Sequence, residues 1–206
     1  MANAPTQTTP DSKLWRDQII PRILDGQRAD QRGKLKGVLE NIASTFDTAA
    51  QSFDKKMRSQ PWTQAGREYA ASEAITEATA MLKVFADSAT QHHREHMAAL
   101  DAELSQVPSI NEFRAVEIRD LIRDMTRSER DAFVAQNDDP EVLSAILHGP
   151  KSFPIASTDS VQRALTNFNR AHRADRVALR DDAAAYVSAV ENFADMVARE
   201  LRRVLR

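Results

Sequence analysis

The densest run of side chains able to do chemistry is His92, His93, Arg94, Glu95 and His96. On a helix, His92 and His96 share one face a single turn apart, a spacing that suits two imidazole ligands to one divalent metal. The string also fits H-x-x-E-H, the zinc pattern of inverzincins, in which Glu95 would serve a metal-dependent hydrolase. Two features weigh against that reading. A catalytic zinc needs a third protein ligand from a partner element, and the scaffold expected for such peptidases mixes sheet and helix, whereas no strand is read anywhere in this chain. His92 and His96 also fall on an apolar seam, where neutral imidazoles fill space or hydrogen-bond across helices. His172 holds a similar position, seven residues after Leu165 and seven before Leu179. The expectation is a buried polar layer of His92, His96 and His172 that fixes helix register, with no metal and no cofactor.

Other candidate chemistry is sparse. Asp138-Asp139 reads as helix capping and Asp181-Asp182 as a solvated face. A di-iron bundle would require paired Glu-x-x-His motifs. The residues three before each histidine are instead Ala89, Thr90, His93, Ala145 and Asn169. No Gly-rich phosphate loop, nucleophile elbow or Ser/His/Asp set at a recognisable spacing occurs, so no catalytic residue is expected. Arg163, Arg170, Arg173, Arg176 and Arg180 form one basic run, and Arg199, Arg202, Arg203 and Arg206 another. Phosphate contact is the functional reading of these runs. Asp175, Asp181 and Asp182 interrupt the first, no aromatics interleave for stacking, and the second complements a helix dipole. Nucleic-acid binding through the basic tail is therefore possible but not favoured.

The elements that must position these residues are long helices. Ser157 to Arg206 contains no Gly or Pro, and Val161, Leu165, Phe168, His172, Leu179, Ala183, Tyr186, Val190, Phe193, Val197, Leu201 and Val204 recur at helical spacings. This predicts one uninterrupted helix with a coiled-coil or bundle seam. Asp30 to Arg58 carries a second stripe through Leu35, Leu39, Ile42, Phe46, Ala49, Phe53 and Met57, with Gly33 and Gly37 weakening its first turns so that order begins near Lys34. After the turn at Ser59 to Trp62, a third helix runs to about Gln106. Its predicted seam is Tyr69, Ile75, Ala78, Leu82, Phe85, Ala89, His92, His96, Leu100 and Leu104. Three short helices follow, starting at Ser109-Ile-Asn-Glu112, at Thr126-Arg-Ser-Glu129 and at Asp139-Pro140; the first two starts read as capping boxes.

Before these helices stands a polar arm. Residues Met1 to Pro10 are too polar to pack a core. Asp11 to Leu24 holds Trp15, Ile19, Ile20 and Ile23 around a kink at Pro21. These four apolar residues are the candidate interface of a docking arm with Trp15 as its anchor; the competing reading has them capping the chain's own bundle. The organisation expected is a 1–29 arm, a 30–108 helical hairpin, a 109–156 helical head and a 157–206 helix packed on the hairpin. The fold class is all-α: an elongated antiparallel bundle of three long helices with a three-helix head inserted before the last.

Composition narrows the class of function. There is no cysteine, so disulfides and thiolate metal sites are excluded. With 28 Lys and Arg against 30 Asp and Glu, no global field draws nucleic acid or membrane. No window reaches the length of apolar sequence needed to span a bilayer, and the polar start does not read as a secretory signal.

Glu117 to Arg130 (EIRDLIRDMTRSER) followed by Asp139 to Pro150 (DPEVLSAILHGP) resembles uncharacterised helical structural proteins of tailed bacteriophages and prophages. The likeness implies a virion or assembly context, in the particle or the host cytoplasm, with no catalytic residues to carry over. Together with rods too long for one small core, it leads to the expectation of a non-enzymatic structural or adaptor protein. Its partners would be other protein subunits of one assembly, with homo-oligomerisation and no membrane.

Overall fold

A computed structural model of the chain describes residues 12–150 and 154–205. The expected polar arm at 1–10, Phe153 and Arg206 lie outside the described residues. The fold is all-α, with long helices packed as a bundle and no strand among the described residues. In chain order the elements are α1 (Ser12–Leu14), a π-helical turn (Trp15–Ile19), α2 (Ile20–Asp25), α3 (Ala29–Ser59), α4 (Gln64–Leu104), α5 (Glu112–Arg123), α6 (Arg127–Gln136), α7 (Pro140–Leu147), α8 (Thr158–His172) and α9 (Ala174–Val204). They form two compact units. One holds the residues up to Glu95 together with those from Asp182 onward, and the other holds His96 to Asp181. The division falls inside α4 and inside α9, rather than in the connections that the sequence marks as linkers.

The first unit is built on a core shared by α3, α4 and α9. From α3 come Leu35, Leu39, Ile42 and Phe46; from α4, Ala78, Leu82 and Ala86; from α9, Val190, Phe193, Val197 and Leu201. Removing each of the large side chains from water contributes roughly 1.5–3 kcal/mol. The three- and four-residue spacing that the sequence shows on α3 and α9 is the spacing of this core. α3 starts earlier than its glycines suggest. Neither Gly33 nor Gly37 is crowded, and their cost of about 1 kcal/mol each relative to Ala is opposed by ties at the helix start. Arg28 pairs with Asp182 at 2.9 Å, and Arg32 donates to the carbonyls of Gln27 and Asp25.

Pro21 does not separate two segments. The turn before it widens to π geometry, with the Ile20 N–H donating to the Trp15 carbonyl. This accommodates a residue that has no N–H of its own and whose ring crowds the preceding turn. The result lies along α3: Arg16 donates to Asp47 at 2.9 Å and to Ser44 at 3.1 Å, and Ser12 donates to Asp47 at 2.8 Å.

In the second unit α5, α6, α7 and α8 enclose Ile118, Ile122, Val134, Leu143, Ala164 and Phe168. Two predicted helix starts are present as read. Thr126 and Glu129 form a reciprocal capping box, and Asp139 caps α7 ahead of Pro140. The third differs: Asn111, not Ser109, caps α5 by accepting from the Phe113 N–H at 2.9 Å, while Glu112 turns instead to Arg119.

The predicted single helix from 157 to 206 is interrupted at Arg173, whose backbone leaves helical geometry (φ −140°, ψ 34°). No Gly or Pro causes this. The side chain of Arg173 instead donates to the carbonyls of Glu103, at 2.9 Å, and Gln106, at 2.8 Å. The cost of one non-helical residue is set against satisfying groups that the end of α4 leaves open.

Candidate functional site

The histidine layer does not form. His92 and His96 are exposed on α4, and His172 is exposed at the end of α8. Of the expected seam of α4, Ala78, Leu82, Leu100 and Leu104 are buried, and Ala86 and Thr90 join them, with His93 half-buried between them. The other expected seam positions Tyr69, Phe85, His92 and His96 fall off this line, and Tyr69 is 72% exposed. An alanine-rich helix allows this error, because Ala78 and Ala86 bring helices close without announcing themselves by size. The imidazole that enters the bundle is His93, stacked on Tyr186 of α9 with ring centroids 4.0 Å apart and 22° between planes. Burial raises the pKa of the Tyr186 phenol, so it stays neutral across the physiological range. Thr90, fully buried, donates its hydroxyl back to the Ala86 carbonyl at 2.7 Å.

For metal chemistry, His92 and His96 lack the company they would need. Among the described residues, no group of three or more His, Asp or Glu side chains converges in a way that could hold an ion. A Ser–His contact does occur, between Ser144 Oγ and His148 Nδ1 at 3.3 Å. Ser144 is 1% exposed, and its hydroxyl accepts from the Ile110 N–H at 3.2 Å. The Ile110 bond joins α7 to the chain ahead of α5, while the Ser–His contact is local to α7 and its cap and offers no accessible nucleophile.

The candidate docking residues are mostly enclosed by their own chain. Trp15 is 6% exposed and stands edge-on to Phe46, at 4.7 Å, and Phe193, at 6.1 Å. Ile20 is fully buried, and Ile19 and Ile23 pack against the same cluster. Trp15 is thus part of the first unit's core and not an anchor for a partner. The reason is geometric: the π turn rotates Trp15 and Ile20 onto one face, which a simple kink at Pro21 would not do.

Much of the first basic run is engaged within the chain. Beyond the two carbonyls held by Arg173, Arg176 lies 3.2 Å from Glu103 and Arg180 3.1 Å from Asp101. In the tail, Arg203 pairs with Glu200, an interaction that lowers the Glu200 pKa through the side-chain hydrogen bond. Phosphate binding by these groups would have to displace neighbours already in place.

Large apolar side chains do remain at the surface. On α4 these are Tyr69, Met81, Val84 and Phe85; on α5 they are Phe113, Val116 and Leu121, with Phe113 85% exposed. The residues that organise the second unit were not visible as a pattern. Arg119 is almost fully buried, donates to the Ala145 carbonyl at 3.2 Å and pairs with Glu112. Asn169 is buried against the end of α4. Nothing in the sequence singles out either residue, and only a polar residue on an otherwise apolar face could have signalled them. No described helix is long and apolar enough to cross a membrane. No protein-family model matches the chain, and no curated protein or solved structure matches it either.

Proposed function

We propose that this chain is a non-enzymatic structural or adaptor protein of a multi-subunit assembly, and that the assembly is a bacteriophage particle. It acts through the outward faces of its helices. The observation that carries this reading is the set of large apolar side chains left in water on α4 and α5, Val84 at 69% and Phe113 at 85% exposure among them. Single exposed apolar residues are common, but several on the faces of two helices are a feature of surfaces that meet other proteins. The segment resemblance to phage structural proteins supplies the kind of assembly, and the helical, cysteine-free composition suits it. A docking role for the first ten residues is compatible with the reading, without Trp15 as anchor.

The test is fractionation of cells or particles that carry the encoding gene, with the chain quantified by mass spectrometry. The expected result is a fixed copy number in the purified particle or in a large complex. Recovery only at the size of the free chain, with no partner retained, would overturn the reading.

A further inference from the structure

The backbone leaves the helix at Arg173 in a stretch that the apolar cores do not reach. None of the described residues from Arg170 to Asp181 is buried, and Val177 and Leu179, the larger apolar side chains there, stay out of the second unit's apolar cluster. The break forgoes hydrogen bonds that a continuous helix would hold. Among the described residues, the Ala174 N–H makes no bond to the Arg170 carbonyl and the Asp175 N–H none to the Ala171 carbonyl, while the Arg176 N–H turns to the Arg173 carbonyl at 2.9 Å. In return the Arg173 guanidinium donates to the carbonyls of Glu103 and Gln106, and both of those bonds are exposed. Arg176 and Arg180 add exposed ion pairs to Glu103 and Asp101, a kind of pair that contributes little in water. All of these residues belong to the second unit.

The local sequence suits two backbones. Ala171, Arg173 and Ala174 are strong helix formers, and no Gly or Pro interrupts them. Arg170 and His172 in the last turn of α8, with Asp175 in the first turn of α9, favour two separate helix ends. We propose that this junction is a two-state hinge latched by Arg173. While the end of α4 holds the guanidinium, α8 and α9 are separate helices; when it lets go, they join into one helix from Thr158 onward. Asn169 keeps its buried bond to the Leu104 carbonyl in either state, so α8 stays on the end of α4 and α9 changes direction. That direction depends on what occupies the Glu103 and Gln106 carbonyls, and a hydrogen-bond donor that caps α4 in place of Arg173 sets it. The inference does not depend on the assembly reading.

Amide hydrogen exchange on the full chain, read residue by residue by NMR against intrinsic rates, tests this. In the parent, Ala174 and Asp175 exchange as unprotected amides. Arg173→Ala removes the latch and keeps a helix former. Both amides should then slow by at least about threefold, the value for a continuous helix in about two-thirds of molecules. Arg173→Gly removes the same latch but disfavours the helix, so the two amides should stay fast. The carbon chemical shifts at position 173 should turn helical in Arg173→Ala and not in Arg173→Gly. Protected amides elsewhere in α8 show that each variant is folded. Ala174 and Asp175 as fast in a folded Arg173→Ala as in the parent would overturn the latch. So would protection already present in the parent, or equal slowing in Arg173→Gly.

Discussion

The side-chain amide of Asn169 donates to the backbone carbonyl of Leu104 at 2.9 Å, so a residue of α8 closes the last turn of α4. The bond is buried, and the same helix end is held again by Arg173 through the carbonyls of Glu103 and Gln106. These contacts answer the need of a helix C-terminus for donors. They also give a physical reason for the single non-helical residue between α8 and α9.

Asn169→Leu should therefore destabilise the chain by about 1–3 kcal/mol, because it leaves a buried carbonyl without a partner. Arg173→Ala should cost about 1 kcal/mol or less, since water can reach the carbonyls it releases. Urea unfolding of the two variants beside the parent checks both. Equal losses would mean that the buried bond carries no special weight.

Trp15→Ala should cost about 3–5 kcal/mol, the usual range for deleting an enclosed aromatic. It fills space between Phe46 and Phe193, so removing it opens a cavity where α3 and α9 meet the π turn. The measurement is the urea midpoint of the isolated chain. An unchanged midpoint with weakened partner binding would restore Trp15 as a docking anchor.

The histidines separate in the same kind of experiment. His92→Ala with His96→Ala should leave stability within about 0.5 kcal/mol of the parent, as expected for exposed positions. His93→Ala should cost about 0.5–1.5 kcal/mol beyond its lost area, from the stack on Tyr186. Thermal melts of the two variants decide it, and the reverse order would return His92 and His96 to the seam.

How far the sequence carries depends on side-chain size. On α3 and α9 the large residues Leu35, Leu39, Ile42, Phe46, Val190, Phe193, Val197 and Leu201 are the core, so periodicity alone locates the buried face. On α4 the buried face mixes Ala70, Ala71, Ala78 and Ala86 with Leu82, Leu100 and Leu104, while Tyr69, Val84 and Phe85 point outward. There large residues occur on both sides, so size alone does not choose the face, and the histidine layer follows Tyr69 and Phe85 into error. The caps at Thr126 and Asp139 are local chemistry and legible as such. The break at Arg173 depends on carbonyls some seventy residues earlier in the chain and leaves no local trace.

Asp131 provides a prediction in pH. Its carboxylate accepts from the Ser157 N–H at 2.7 Å, ahead of α8. That bond, more than its other neighbours, holds the Asp131 pKa below the ordinary carboxylate value. Glu129 is lowered in the same way, first by the Thr126 hydroxyl and then by the Thr126 N–H. A pKa depressed in the folded state means that the unfolded chain binds the proton more readily. The contribution to stability is then complete above the unfolded value and disappears as pH falls through the folded one. Asp131→Asn keeps an acceptor oxygen but removes the charge, so it should be less stable than the parent at neutral pH. The gap should narrow as pH falls through the ordinary carboxylate range and close once Asp131 is protonated in the folded chain as well. Urea midpoints of parent and variant across that range test it. A gap that stays constant with pH would show that the carboxylate charge plays no part in holding the start of α8.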